Sequence, residues 1–113
     1  MSTVPTTIGL YDATEPASTL QQVQWGIAAG TVDIITVAYP FPNVALSDGL
    51  CLAFRAFGAN TVDDPTFSPD GLQAYPIVKK NLQALSAGDI AGFGHEIIVR
   101  FLLANSVWVA VNL

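Results

Sequence analysis

The chain has 113 residues, 51% of them hydrophobic and only 12% charged, with a net charge of −5. That length accommodates one domain with a single core, and a composition this apolar and charge-poor excludes intrinsic disorder. Its four basic residues, Arg55, Lys79, Lys80 and Arg100, form no stripe able to neutralise phosphates, so nucleic acid is not expected as a direct partner.

In chain order, residues 1–19 are rich in Ser, Thr and Pro and lack periodicity. Pro5 and Pro16 oppose helix formation, and the segment reads as an extended N-terminal arm. Its apolar residues Ile8, Leu10 and Tyr11 suit docking onto a partner. The start of the chain has neither the basic nor the apolar region of a signal peptide, and no stretch approaches the roughly 18 apolar residues of a membrane span. The expected product is soluble, made in a cytoplasm and not bound to a membrane.

Residues 20–113 read as one β module. "VQWGIAA" (23–29) is a strand candidate interrupted by Gly26, and "TVDIITVAY" (31–39) is β-branched and stops at Pro40. In "GLCLAFRAF" (49–57), Leu50, Leu52, Phe54 and Ala56 fall on one face, with Cys51, Ala53, Arg55 and Phe57 on the other. "AYPIVKK" (74–80) is a shorter strand. "KNLQALSAGD" could form a brief helix, with Leu82 and Leu85 three apart. "HEIIVRFLL" (95–103) separates Ile97, Val99 and Phe101 from Glu96, Ile98 and Arg100. "SVWVAVN" (106–112) separates Val107, Val109 and Val111 from Ser106, Trp108 and Ala110. About two residues, Ala104 and Asn105, join these last strands, which predicts a tight hairpin. Short strands divided by Gly, Pro, Asp and Asn predict an all-β fold, a single antiparallel β-sandwich or small barrel.

The sequence assigns no catalytic, cofactor or metal residue. His95 is the single histidine, and in a strand it and Glu96 point to opposite faces. "NTVDDPTFSPDG" holds Asp63, Asp64 and Asp70 but lacks the spacing of an EF-hand, so these aspartates read as turn residues. Gly92-Phe93-Gly94 is followed by a strand, not by a helix that could hold a phosphate. No serine sits in a nucleophile elbow. Cys51 reads as a small buried hydrophobe. The aromatic residues read as core and subunit interface, with Tyr75 the strongest candidate for a sugar-binding face. One of Lys79 and Lys80 is expected to pair with an acidic neighbour, and both to keep a strand edge solvated. The shortage of charge predicts that other chains cover part of the surface.

Taken in order, "LSDGLCLAFRAFGANT", "PTFSPDGLQAYPIVKKN", "ALSAGDIAGFGHEIIVRF" and "SVWVAVNL" resemble a module found repeatedly in tail-fibre and other virion proteins of tailed bacteriophages. The matching residues are Asp48-Gly49, Arg55, Ala59-Asn60-Thr61, Asp70-Gly71-Leu72, Ala74, Pro76, Ile77, Lys79 and Ala87-Gly88-Asp89-Ile90, within residues 30–113. The resemblance implies a non-enzymatic structural protein of the virion, a homotrimer whose other partners are virion proteins such as the major capsid protein or tail proteins. The family's usual N-T-G loop is here Asn60-Thr61-Val62-Asp63-Asp64, and the closing hairpin is more apolar than a solvated fibre tip needs. A single module with an arm therefore points first to a small capsid decoration or cement protein. The alternative is a tail-fibre or receptor-binding module. A glycan hydrolase would need paired carboxylates facing a cleft, whereas the acidic residues here lie mostly in turn signals.

Overall fold

The structure, a computed structural model, describes residues 23–113; the arm expected over residues 1–19 lies outside them. The strands are β1 (Gln24–Ile27), β2 (Ala29–Gly30), β3 (Ile34–Val37), β4 (Cys51–Arg55), β5 (Thr66–Pro69), β6 (Tyr75–Val78), β7 (Glu96–Leu102) and β8 (Val107–Ala110). They form one sheet in the order β1-β4-β7-β8-β6-β5-β3-β2. The two ends of that order are consecutive in the chain, separated only by Ala28. One bent stretch, Gln24–Gly30, thus pairs with β4 through its first half and with β3 through its second. The sheet curls into a nearly closed barrel. At the bend, Ala28 N–H donates to the Arg55 carbonyl (3.0 Å), carrying the ladder across the seam.

The all-β expectation is met by its barrel form, and the pairing is mixed. β1–β4, β3–β5 and β6–β8 run parallel, while the other neighbours run antiparallel. The strong alternation in β4 and β7 sets which side faces inward: Leu52, Phe54, Ile97, Val99 and Phe101 are buried. Five strands contribute rings to one connected interior. Phe54 stacks on Phe67 (centroids 5.1 Å apart), Phe67 meets Trp108 edge-on (4.9 Å), Trp108 packs on Phe101 (5.1 Å), and Phe101 packs on Tyr75 (5.4 Å). Each such pair adds about 0.5–1.5 kcal/mol beyond the apolar area it removes from water. Tyr75, the candidate sugar platform, is therefore a core-edge residue.

Three local expectations are corrected. "KNLQALSAGD" forms turns and an isolated bridge, Val78 to Ala84, and no helix. Leu82 takes a positive φ of 66° and stays exposed while Leu85 is buried, so the spacing of three reflects a bend. The β7–β8 hairpin exists, but Leu102 pairs with Val107, leaving residues 103–106 as its loop. Leu103–Asn105 form a single 3-10 turn that ends on Ser106 in the left-handed region. Cys51 is half-buried on the outward side of β4, its thiol 3.4 Å from the Gly49 carbonyl.

Candidate docking surface

The loops are held by side chains; the sequence offers Asp70 among them as a turn residue, whereas Asp33 falls inside the strand candidate of residues 31–39. Asp70 Oδ1 accepts from Tyr39 N–H (2.8 Å), and its Oδ2 accepts from the backbone N–H (2.7 Å) and side-chain amide (2.9 Å) of Asn43. Burial works to raise the Asp70 pKa, but these three donors outweigh it and hold the carboxyl below its ordinary value. The Tyr39 hydroxyl, buried, donates to the Ala53 carbonyl (3.0 Å); burial first, and the Asp70 charge second, push its pKa well above the ordinary phenol value. Asp33 accepts from the Thr61 hydroxyl, from Thr61 N–H (2.7 Å) and from Val62 N–H (3.3 Å), which lowers its pKa, with the Thr61 hydroxyl the largest cause.

Asn60 is the one buried polar or charged residue among those described. Its amide donates to the Val62 (2.8 Å) and Ser86 (3.0 Å) carbonyls, and its Oδ1 accepts from Gly88 N–H (3.1 Å) and Ile90 N–H (3.0 Å). The "ANT" and "AGDI" elements, far apart in the chain, are thus joined by a single fully satisfied side chain. Asp48 plays a similar part, its Oδ1 accepting from Leu103 N–H (3.0 Å) and tying the turn before β4 to the β7–β8 loop.

The candidate cation ligands do not converge. Asp70 is committed to Tyr39 and Asn43, and β5 intervenes between it and Asp63-Asp64. Four residues of strand span about 13 Å. Among the described residues no group of three or more His, Cys, Asp or Glu side chains is placed to hold a metal ion. His95 Nδ1 accepts from Ala91 N–H (2.9 Å), so it closes the turn that leads into β7. Lys79 pairs with Asp89 (3.9 Å) and Arg55 with its register partner Glu96 (3.5 Å), both pairs well solvated.

What remains distinctive is the outside of the barrel. Register partners in a sheet project from the same face, and Trp25, Ala53 and Ile98 form one such outward row across β1, β4 and β7. The next row is Ile27, Arg55 and Glu96. Trp25 is 47% exposed and Ile27 71% exposed, with a small cleft of about 110 Å³ between them, Gly26 and Arg55. Beyond the end of β4, Gly94 N–H donates to the Ala56 carbonyl (3.0 Å), bringing the turn before β7 alongside Phe57. Phe57 and Phe93, one residue beyond each member of that pair, are 51% and 86% exposed. Four large apolar side chains therefore crowd one wall and its rim. The sequence places Trp25 in a weak strand candidate and reads it, with the other aromatic residues, only as core or subunit interface. The signal for it was the period of two in Gln24–Ile27, obscured by Gly26.

Gly26 is what allows this wall to close. A Cβ there would lie 2.3 Å from Val37 Cγ1, so the absence of a side chain lets β1 lie over the inward residues of β3. Neither a family model nor a curated protein sequence matches the chain.

Proposed function

We propose that this protein is a non-enzymatic structural subunit of a tailed-phage virion, a small capsid decoration or cement protein that works as a homotrimer. The observation that carries the assembly role is the outward apolar wall of Trp25, Ile27, Phe57 and Phe93 on a barrel whose own interior is already filled. Alternation along β1 directs Trp25 and Ile27 outward, and Phe57 and Phe93 stand exposed in the turns after β4 and before β7. Burying a Phe or Ile side chain fully stabilises an interface by about 1.5–3 kcal/mol, so four of them support stable association between subunits. The assignment to a virion rests on the resemblance of residues 30–113 to the tail-fibre module. The matching residues act here as loop scaffolding: Asn60 joins two motif elements, while Asp48 and Asp70 tie motif turns to neighbouring segments. Matching residues that set the shape of the loops fit that reading. The alternative of a tail-fibre or receptor-binding module uses the same wall toward a different neighbour.

Phage particles purified from a producing strain and labelled with antibody against this protein test the proposal. The head should carry the label, at hundreds of copies per particle. Label at the tail, at a few to tens of copies, would favour the fibre alternative, and particles free of the protein would refute both.

A further inference from the structure

A second surface feature is electrostatic. Two of the four basic residues are paired, Arg55 with Glu96 and Lys79 with Asp89. Neither Lys80 nor Arg100 has a salt-bridge partner among the described residues. Both line one open groove of about 470 Å³ on the outer face of the sheet, with Leu82, Val109 and Asp48 among the other residues around it. Asp48 is the acidic residue of that lining, and its Oδ1 is engaged by Leu103 N–H. Among the described residues of this protein of net charge −5, the basic side chains without a salt-bridge partner thus lie at one groove.

We propose that this groove receives the N-terminal segment of its own chain, with Asp12 and Glu15 pairing with Arg100 and Lys80 and the apolar residues Ile8, Leu10 and Tyr11 covering the groove floor. Charge complementarity and chain geometry both support this occupant. Residues 1–22 contain Asp12 and Glu15 and no Lys or Arg. The described chain begins two strands from Arg100: Gln24 pairs with Leu52, which pairs with Val99, the neighbour of Arg100. Two strand spacings, about 10 Å, therefore separate the start of β1 from the Arg100 strand, and β6, which leads to Lys80, lies four spacings away, about 19 Å. The nine residues from Glu15 to Gln24 reach at most about 30 Å when extended, which covers both distances. This inference stands apart from the virion reading, because it concerns the free protomer.

Amide exchange of the full-length protein, followed by mass spectrometry, tests it. Residues 8–16 should exchange at least tenfold more slowly than in an isolated peptide of residues 1–22. The pair Lys80→Glu with Arg100→Glu should remove roughly fivefold or more of that protection, the scale set by two solvated ion pairs. Asp12→Lys with Glu15→Lys, which leaves the barrel untouched, should do the same. Combining all four substitutions should restore most of the protection. Exchange at the peptide rate, or protection indifferent to charge reversal, overturns the proposal. Protection that grows with protein concentration also overturns it, by making the occupant a neighbouring copy.

Discussion

Trp25 and Ala53 are register partners across the parallel β1–β4 pairing, and both project outward, yet Ala53 is fully buried while Trp25 is about half exposed. The outer face of the barrel is thus covered at its middle by its own side chains and left open at the margin nearest the seam. A sheet that closes through one bent strand concentrates its irregularity there. At this margin the strand presents Trp25 and Ile27 beside the solvated Arg55–Glu96 pair.

This asymmetry makes the two tryptophans separable by fluorescence. Trp108 is inaccessible within the ring cluster, and Trp25 faces solvent in the free protomer. Acrylamide should quench about half of the emission of the protein held as a monomer, and Trp25→Phe should remove that quenchable fraction. In the assembled form the quenching should largely disappear.

The close approach at Gly26 predicts a cost for the smallest side chain. Gly26→Ala places a methyl against Val37 and should lower stability by about 1–3 kcal/mol, the usual penalty for overpacking. Urea denaturation measures it. Adding Val37→Ala should return part of the loss, since the clashing Cγ1 is then gone.

Asn60 predicts a larger effect from a buried polar residue. Asn60→Ala leaves the Val62 and Ser86 carbonyls and the Ile90 N–H group short of partners, while Gly88 N–H keeps its bond to the Asn60 backbone carbonyl (2.9 Å). At about 1–3 kcal/mol for each group left unsatisfied, and with water reaching some of them, a total loss of about 3 kcal/mol is expected. Asn60→Asp keeps the acceptor toward Gly88 and Ile90 but loses both donors, so its loss should exceed that of an exposed Asn→Asp change. Thermal denaturation of the three proteins checks the order.

Stability should fall in acid. Asp33 and Asp70 both have carboxyl pKa values lowered in the folded chain, so the unfolded chain binds protons more readily. Their contribution is complete above the unfolded carboxylate value of about 4 and is lost as pH falls through the lower folded values. The urea midpoint should therefore hold between about pH 5 and 7 and decline below about pH 4. Asp70→Asn should flatten part of that decline.

The sequence made the inward faces of β4 and β7 legible because their alternation is uninterrupted. β5 was not legible, because "TFSP" is bracketed by Pro65 and ends on Pro69, and proline ordinarily argues against a paired strand. The structure shows why it is tolerated. Thr66 and Asp70 donate their N–H groups to the Asp33 carbonyl just before β3 and the Val37 carbonyl at its end, so the position of Pro69 directs its missing donor the other way, beyond the last β5–β6 pair, Phe67 with Tyr75. Pro76 likewise precedes the first β6–β8 pair, Ile77 with Trp108. The parallel pairings and the closure through Ala28 depend on strands distant in sequence, which a local period of two does not encode. Trp25 and Ile27 were lost with the same closure, since their outward role follows only once Gly26 is seen against Val37.

Sedimentation equilibrium at tens of micromolar, on the native protein and on Trp25→Glu with Ile27→Lys, addresses the assembly role most directly. The native chain should sediment as a trimer and the variant as a monomer, both with the circular dichroism of an intact barrel. A native chain that stays monomeric, with Trp25 still open to quencher, would contradict the account.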